Sequence, residues 1–95
     1  PIYGVRKYSD MKRERVVLKV YGKQARYFRS LPLHHSQEEI ETQDNFSIFT
    51  YHLAPDYAFR QDILSFGDEV EVLEPEGLRN CIIEIIKSLT LKYNN

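Results

Sequence analysis

Gly22, Pro32, Gly67 and Pro75 cut this chain into alternating extended and helical runs, and few architectures can accept that alternation in 95 residues. Residues 15–21 are β-branched and alternating, with Val16, Leu18 and Val20 on one face and Val17, Lys19 and Tyr21 on the other. Gly22 ends this strand, and residues 23–31 switch to helical spacing with Ala25, Phe28 and Leu31 on one side. Pro32 stops the helix because it lacks a backbone donor and disfavours helical geometry at the residue before it. Residues 36–43 read as a polar edge strand centred on Ile40, where Glu38, Glu39 and Glu41 would discourage unwanted pairing. Asp44-Asn45 makes a two-residue turn into a central strand over 46–53. Asp56 caps a helix to Phe66 with Phe59, Ile63 and Leu64 on its apolar side, and Gly67 ends it in a left-handed conformation. Residues 69–73 alternate as a short strand. Pro75 opens a last helix to about Tyr93, striped by Leu78, Ile82, Ile85, Ile86 and Leu89.

The order β-α-β-β-α-β plus a helix predicts an α+β fold of the ferredoxin-like, split βαβ kind. That arrangement has a four-stranded antiparallel sheet with both internal helices on one face, followed here by a C-terminal helix. A chain of this length forms one domain. No apolar run approaches the roughly 18 residues of a membrane span. No leader pattern opens the chain, and the lone Cys81 cannot form an internal disulfide, so a cytoplasmic protein is expected. The start at Pro1 rather than Met, and an end that reads as a fraying helix, suggest an excised C-terminal domain.

Charge is unevenly placed. Residues 1–35 hold nine Lys/Arg against two acids, and residues 36–95 hold four against twelve, so +7 is followed by −8 for a net −1. Such asymmetry marks either a face for a polyanion or complementary partner, or two surfaces that neutralise each other.

Chemistry finds little support in these residues. His34 and His35 are adjacent, and in an extended segment they point to opposite sides, while His52 and Cys81 lie on other elements without metal-ligand spacing. Cys81 falls on the stripe of the last helix as a small buried apolar residue. Ser36 beside the histidines does not make a triad. The four glycines are isolated, and Gly22-Lys23-Gln24-Ala25 offers no anion cradle of the kind a small acyl-phosphate hydrolase needs. The chain therefore reads as a non-enzyme with no cofactor and no metal.

Binding has better candidates. Tyr21 on the first strand and Phe46, Phe49 and Tyr51 on the third are where a sheet of this type can stack bases, although the glycine-containing third-strand signature of RNA-recognition modules is missing from residues 44–49 and aromatics at such positions more often belong to the core. The open sheet face, with Val17 and Tyr21, and the flank of the last helix, with Ile83 and Leu91 partly outside the stripe, are a candidate partner surface.

Two stretches carry a family resemblance. Arg26-Tyr27-Phe28-Arg29-Ser30-Leu31-Pro32-Leu33-His34-His35-Ser36-Gln37 is one, and Ile63-Leu64-Ser65-Phe66-Gly67-Asp68-Glu69-Val70-Glu71-Val72-Leu73-Glu74-Pro75 followed by Leu78-Arg79 is the longer and more specific. Together they resemble the C-terminal extension (WCX) domain of the WYL-domain transcriptional regulators of bacteria, over almost the whole chain. Tyr3-Gly4-Val5 looks like the segment that follows the WYL domain, which makes residues 1–14 a linker and residues 15–95 the extension domain. The resemblance implies a regulatory and dimerisation domain of a homodimeric DNA-binding regulator. It would couple effector sensing in the adjacent WYL domain to DNA binding by an N-terminal winged helix-turn-helix, with a nucleotide or single-stranded nucleic acid as a possible effector and no membrane partner. The Trp-Tyr-Leu signature belongs to the preceding domain, and this chain has no tryptophan. Among the matching positions, Arg26, Arg29, His34, Gln37, Arg60 and Arg79 are candidates for anion, effector or inter-domain contacts. The alternative expectation is that these arginines cap strand ends or pair with Glu69, Glu71 or Glu74. A stand-alone ligand- or single-stranded nucleic-acid-binding module using the sheet aromatics and basic residues is the other reading.

Overall fold

A computed structural model describes residues 11–94. The chain runs β1 (Glu14–Tyr21), α1 (Gln24–Ser30), β2 (Glu38–Thr42), β3 (Phe46–Leu53), α2 (Tyr57–Ser65), a 3₁₀ turn (Gly67–Glu69), β4 (Val70–Glu74) and α3 (Glu76–Tyr93). The strands form one antiparallel sheet in the order β2-β3-β1-β4, so β1 and β3 are central. The expected α+β class, four-stranded antiparallel sheet and C-terminal helix are all present. Most of the expected linker, residues 1–10, lies outside the described residues. Among the described residues, no helix is long and apolar enough to cross a membrane.

Alternation in the two central strands decides where the core forms. Val16, Leu18 and Val20 of β1 and Phe49, Tyr51 and Leu53 of β3 point to the same side, with Val70 and Val72 of β4 beside them. Ala25 and Phe28 of α1, Phe59 and Ile63 of α2 and Leu78 of α3 complete a single buried cluster on that face. Phe28 is its wedge: fully buried, it meets Phe49 at 5.6 Å between ring centroids and Phe66 edge-on at 5.0 Å.

Local chemistry ends the elements as their residues require. Gly22 and Gly67 take φ near +60°, a conformation that side chains with a Cβ rarely adopt. The Asp56 carboxylate accepts the Phe59 N–H at 2.9 Å and caps α2. Four expectations need correction. Leu31, expected on the buried stripe of α1, is exposed, because the following proline holds it in an extended conformation just beyond the helix. Ile40, expected at the centre of β2, is the extra residue of a bulge between Glu39 and Glu41 and faces solvent. Pro75 precedes α3 as its N-cap rather than occupying its first turn. Cys81 is only half-buried, because α3 lies along β4 rather than over the sheet.

Phe28→Ala should therefore destabilise the fold by about 3–5 kcal/mol, whereas Leu31→Ala should change stability by no more than about 0.5 kcal/mol. Urea denaturation of the two variants checks the contrast.

Candidate functional site

The basic edge of α1 is written as a three-residue repeat, Lys23, Arg26 and Arg29, which a helix places along one side. Opposite it stands the end of the β2–β3 hairpin, and between them lies a cleft of about 410 Å³ whose walls include Asp44, Phe46 and Ser47. Arg29 is committed to the fold. Its Nε and Nη2 donate to the two Glu39 oxygens at 2.7 and 2.6 Å, and Nη2 also donates to the buried Ser47 hydroxyl at 3.3 Å. Thr42 donates to the same carboxylate at 2.9 Å. The Arg29 hydrogen bonds hold the Glu39 carboxyl down to about 2, and Glu39 in turn raises the guanidinium's pKa. Among the described residues, the Lys23 and Arg26 side chains make no hydrogen bond or ion pair, so the cationic character of the cleft rests on these two, with Asp44 partly offsetting it.

Gln37 is also a structural residue. Its Nε2 donates to the Phe28 carbonyl at 2.9 Å, and its Oε1 accepts from the Leu33 N–H at 3.1 Å and the Tyr51 hydroxyl at 2.7 Å. Tyr51 sits in the core, where burial pushes its phenol pKa well up. His34 belongs to the same turn: its Nδ1 accepts the Ser36 N–H at 3.2 Å and lies 2.7 Å from the Ser36 hydroxyl, which accepts the His52 N–H at 2.9 Å. Contrary to expectation, His34 and His35 do not diverge. Residues 33–36 form a turn rather than an extended segment, and the two rings stack with centroids 4.1 Å apart. Burial first, then the neighbouring His35 and Arg13, push the His34 pKa down. Among the described residues, no group of three or more His, Cys, Asp or Glu side chains is placed to hold a metal.

The other two arginines also turn inward. Arg60 donates to the Pro55 carbonyl at 3.3 Å and lies over the Tyr57 ring. Arg79 donates through Nη1 to the Glu71 carboxylate at 3.1 Å and to the Val72 carbonyl at 2.7 Å, which ties α3 to the edge strand β4. Tyr21 donates to the other Glu71 oxygen at 2.8 Å, and this bond, ahead of the one from Arg79, lowers the Glu71 pKa. The six candidate positions thus do not converge on one site: Arg26 and Arg29 share the α1 cleft, His34 and Gln37 share a turn, and Arg60 and Arg79 stand apart.

The sheet face away from α1 and α2 decides between the two readings of the aromatics and corrects one more expectation. Phe49 and Tyr51 belong to the core, so Tyr21 and Phe46 alone of the four aromatics remain on that face, as register partners. Lys19 covers both, with Nζ 5.2 Å from the Tyr21 centroid and 4.2 Å from that of Phe46, so the exposed π surface is already occupied. Val17, expected on a partner surface, is buried.

What lies bare is α3. Leu78 is buried and Ile82 packs partly on the core, but Ile86 is 51% exposed, Leu89 46%, Leu91 73% and Tyr93 85%. Ile82, Ile83 and Ile86 also line a groove of about 230 Å³ against Val70 and Val72 of β4, with Arg79 at its side. The 4-3-4 spacing of Leu78, Ile82, Ile85 and Leu89 is the signal that would have marked this stripe as a helix-pairing seam.

These features describe a small α+β domain whose polar candidates mostly brace its own loops and whose exposed apolar residues cluster most densely on α3. The WCX domain model matches residues 12–90, and the chain belongs to that family. Comparison with curated proteins finds no match.

Because the folded-state pKa of Glu39 is depressed from 4.5 to about 2, the contribution of the Arg29–Glu39 pair is present above pH 4.5 and lost as pH falls towards 2. Thermal unfolding followed by circular dichroism should show Tm falling through that window, with a shallower fall in Glu39→Gln.

Proposed function

We propose that this chain is a non-enzymatic regulatory and dimerisation domain of a bacterial, cytoplasmic DNA-binding transcriptional regulator. It works beside a WYL domain that senses the effector, and it couples that sensing to DNA binding by a winged helix-turn-helix elsewhere in the protein. The family match supports the regulatory part. The observation that carries the dimerisation part is the uncovered apolar length of α3 from Ile86 to Tyr93, since contiguous apolar surface on a soluble domain marks a place of contact. The inward commitment of Arg29, Gln37, Arg60 and Arg79 supports a non-catalytic role. We also infer the ferredoxin-like arrangement. In the sheet order β2-β3-β1-β4 the β1-α1-β2 and β3-α2-β4 halves interleave, which supports the split βαβ reading.

If the domain helps to hold a dimer, the 95-residue chain should show a reversible monomer–dimer equilibrium in sedimentation velocity. A surface of one helix falls short of the roughly 800 Å² per partner of a stable interface, so the expected dissociation constant is at or above tens of micromolar. A chain that stays monomeric to about 1 mM would sink the dimerisation part of the reading.

The α1 cleft favours a second reading, a module that takes a phosphate-bearing effector such as a nucleotide or single-stranded nucleic acid. Lys23 and Arg26 supply the cations there, and the Phe46 ring lies on the opposite sheet face, so phosphate rather than base contact is the interaction this cleft offers. Fluorescence anisotropy with labelled single-stranded and duplex oligonucleotides at two salt concentrations tests it. The second reading requires salt-sensitive binding that Lys23→Ala with Arg26→Ala abolishes without changing the circular dichroism spectrum.

A further inference from the structure

We propose that α3 is a self-pairing helix: two copies of this chain associate by laying the outer turns of α3 against each other in antiparallel orientation. The inference rests on the dimerisation reading and names its surface.

Three observations lead to it. The first is geometric. The stripe Leu78, Ile82, Ile85, Leu89 has the 4-3-4 spacing of a helix–helix seam, yet the domain itself buries only its first residue fully. Fifteen residues follow Leu78 to Tyr93, which at about 1.5 Å per residue carries the helix roughly 22 Å past its last buried anchor. A seam with this period is fitted by another helix, and a second copy supplies one with the same uncovered length.

The second is energetic. Ile82, Ile83, Ile85 and Ile86 crowd β-branched side chains into two turns of α3, where each restricts χ1 and lowers intrinsic helix propensity. Helices in proteins draw most of their stability from burying an apolar face. The outer turns of α3 bury little of theirs within one chain, and a partner helix supplies the missing burial.

The third is charge, which selects the orientation. Residues 76–84 carry Glu76, Arg79 and Glu84, a net −1, and residues 85–93 carry Lys87 and Lys92, a net +2. Antiparallel pairing places the negative half of each helix against the positive half of the other, whereas parallel pairing would put +2 against +2. Most of these charges lie off the seam, so they steer rather than hold, acting within a Debye length of about 10 Å. In this orientation the exposed Tyr93 of one copy lies towards the Arg79 end of the other, beside the groove that Ile82, Ile83 and Ile86 form with β4. A two-fold axis through the middle of the paired segments makes the contact isologous and closed.

The test is sedimentation equilibrium on the whole 95-residue chain and three variants, from about 10 µM to about 1 mM. Ile86→Glu with Leu89→Glu alters half-exposed positions and should weaken self-association by roughly tenfold or more. Its circular dichroism spectrum and Tm should match those of the parent. Lys87→Glu with Lys92→Glu should weaken it severalfold at low salt, and mixing that variant with Glu76→Lys/Glu84→Lys should restore association. In a parallel pair the lysine replacement would leave self-association unchanged, which would overturn the antiparallel arrangement. A dimer that neither the Ile86/Leu89 nor the Lys87/Lys92 variant weakens would overturn the α3 surface while leaving the dimerisation role standing. A chain that is monomeric throughout would overturn both.

Discussion

One carboxamide governs how the first half of this domain closes. After α1 the chain must reverse and enter the edge strand, and the polar ends it exposes in doing so need partners. Gln37 supplies them from a single side chain: it donates to the Phe28 carbonyl at the end of α1 and accepts from the Leu33 N–H of the connecting turn and the Tyr51 hydroxyl of the central strand. Helix, turn and strand are thereby held at one point. The Tyr51 hydroxyl could not lie in the core without such an acceptor. Removing the carboxamide would strand that hydroxyl and a helix-end carbonyl together, and for this reason the conspicuous polar residue of the motif is a brace.

Charge follows the same logic on a larger scale. The basic opening third and the acidic remainder meet across element pairs: Arg15 with Glu74, Arg29 with Glu39, Gln24 with Glu69, and the Tyr21 hydroxyl with Glu71. Most of these contacts are exposed, and exposed pairs contribute about 0–1 kcal/mol each. Their effect on specificity is larger, because they pin the edge strands β2 and β4 to elements encoded far away in sequence. Of the basic residues described in the opening third, Arg15 and Arg29 are taken up by ion pairs inside the domain, and Lys23 and Arg26 remain on the α1 cleft.

Periodicity and punctuation made the fold legible. The alternation in β1 and β3, glycines at the two positions that needed positive φ, and Asp56 at a helix start all encode local physics that context did not override. The failures lie where tertiary geometry decides. Whether Phe49 and Tyr51 face a ligand or the core depends on which side of the sheet the helices take, and alternation alone is symmetric between the two faces. The bulge at Ile40 and the stacked histidines follow from a register and a turn that no local pattern announces. The candidate site was legible only as residue types. Arginines look alike in sequence whether they await a ligand, as Arg26 could, or bind a carboxylate, as Arg29 does.

The last helix shows why an element can be foreseen while the packing of its stripe stays open between core and partner surface. Its stripe is as regular as that of any buried helix, so the sequence alone fits both a core helix and one whose flank meets a partner. The core, however, has only one open flank to offer. α1 and α2 already cover the inner sheet face, and α3 enters along β4, where Leu78 fills the remaining gap and the Arg79 bonds to Glu71 and Val72 fix its direction. From there the helix runs outward, because among the described residues the sheet ends at β4, and Ile86 and Leu89 stay about half exposed. In the dimer proposed above, an apolar stripe that outruns the surface its own domain provides is what the second copy would cover, and the direction set by Arg79 would determine where the two meet.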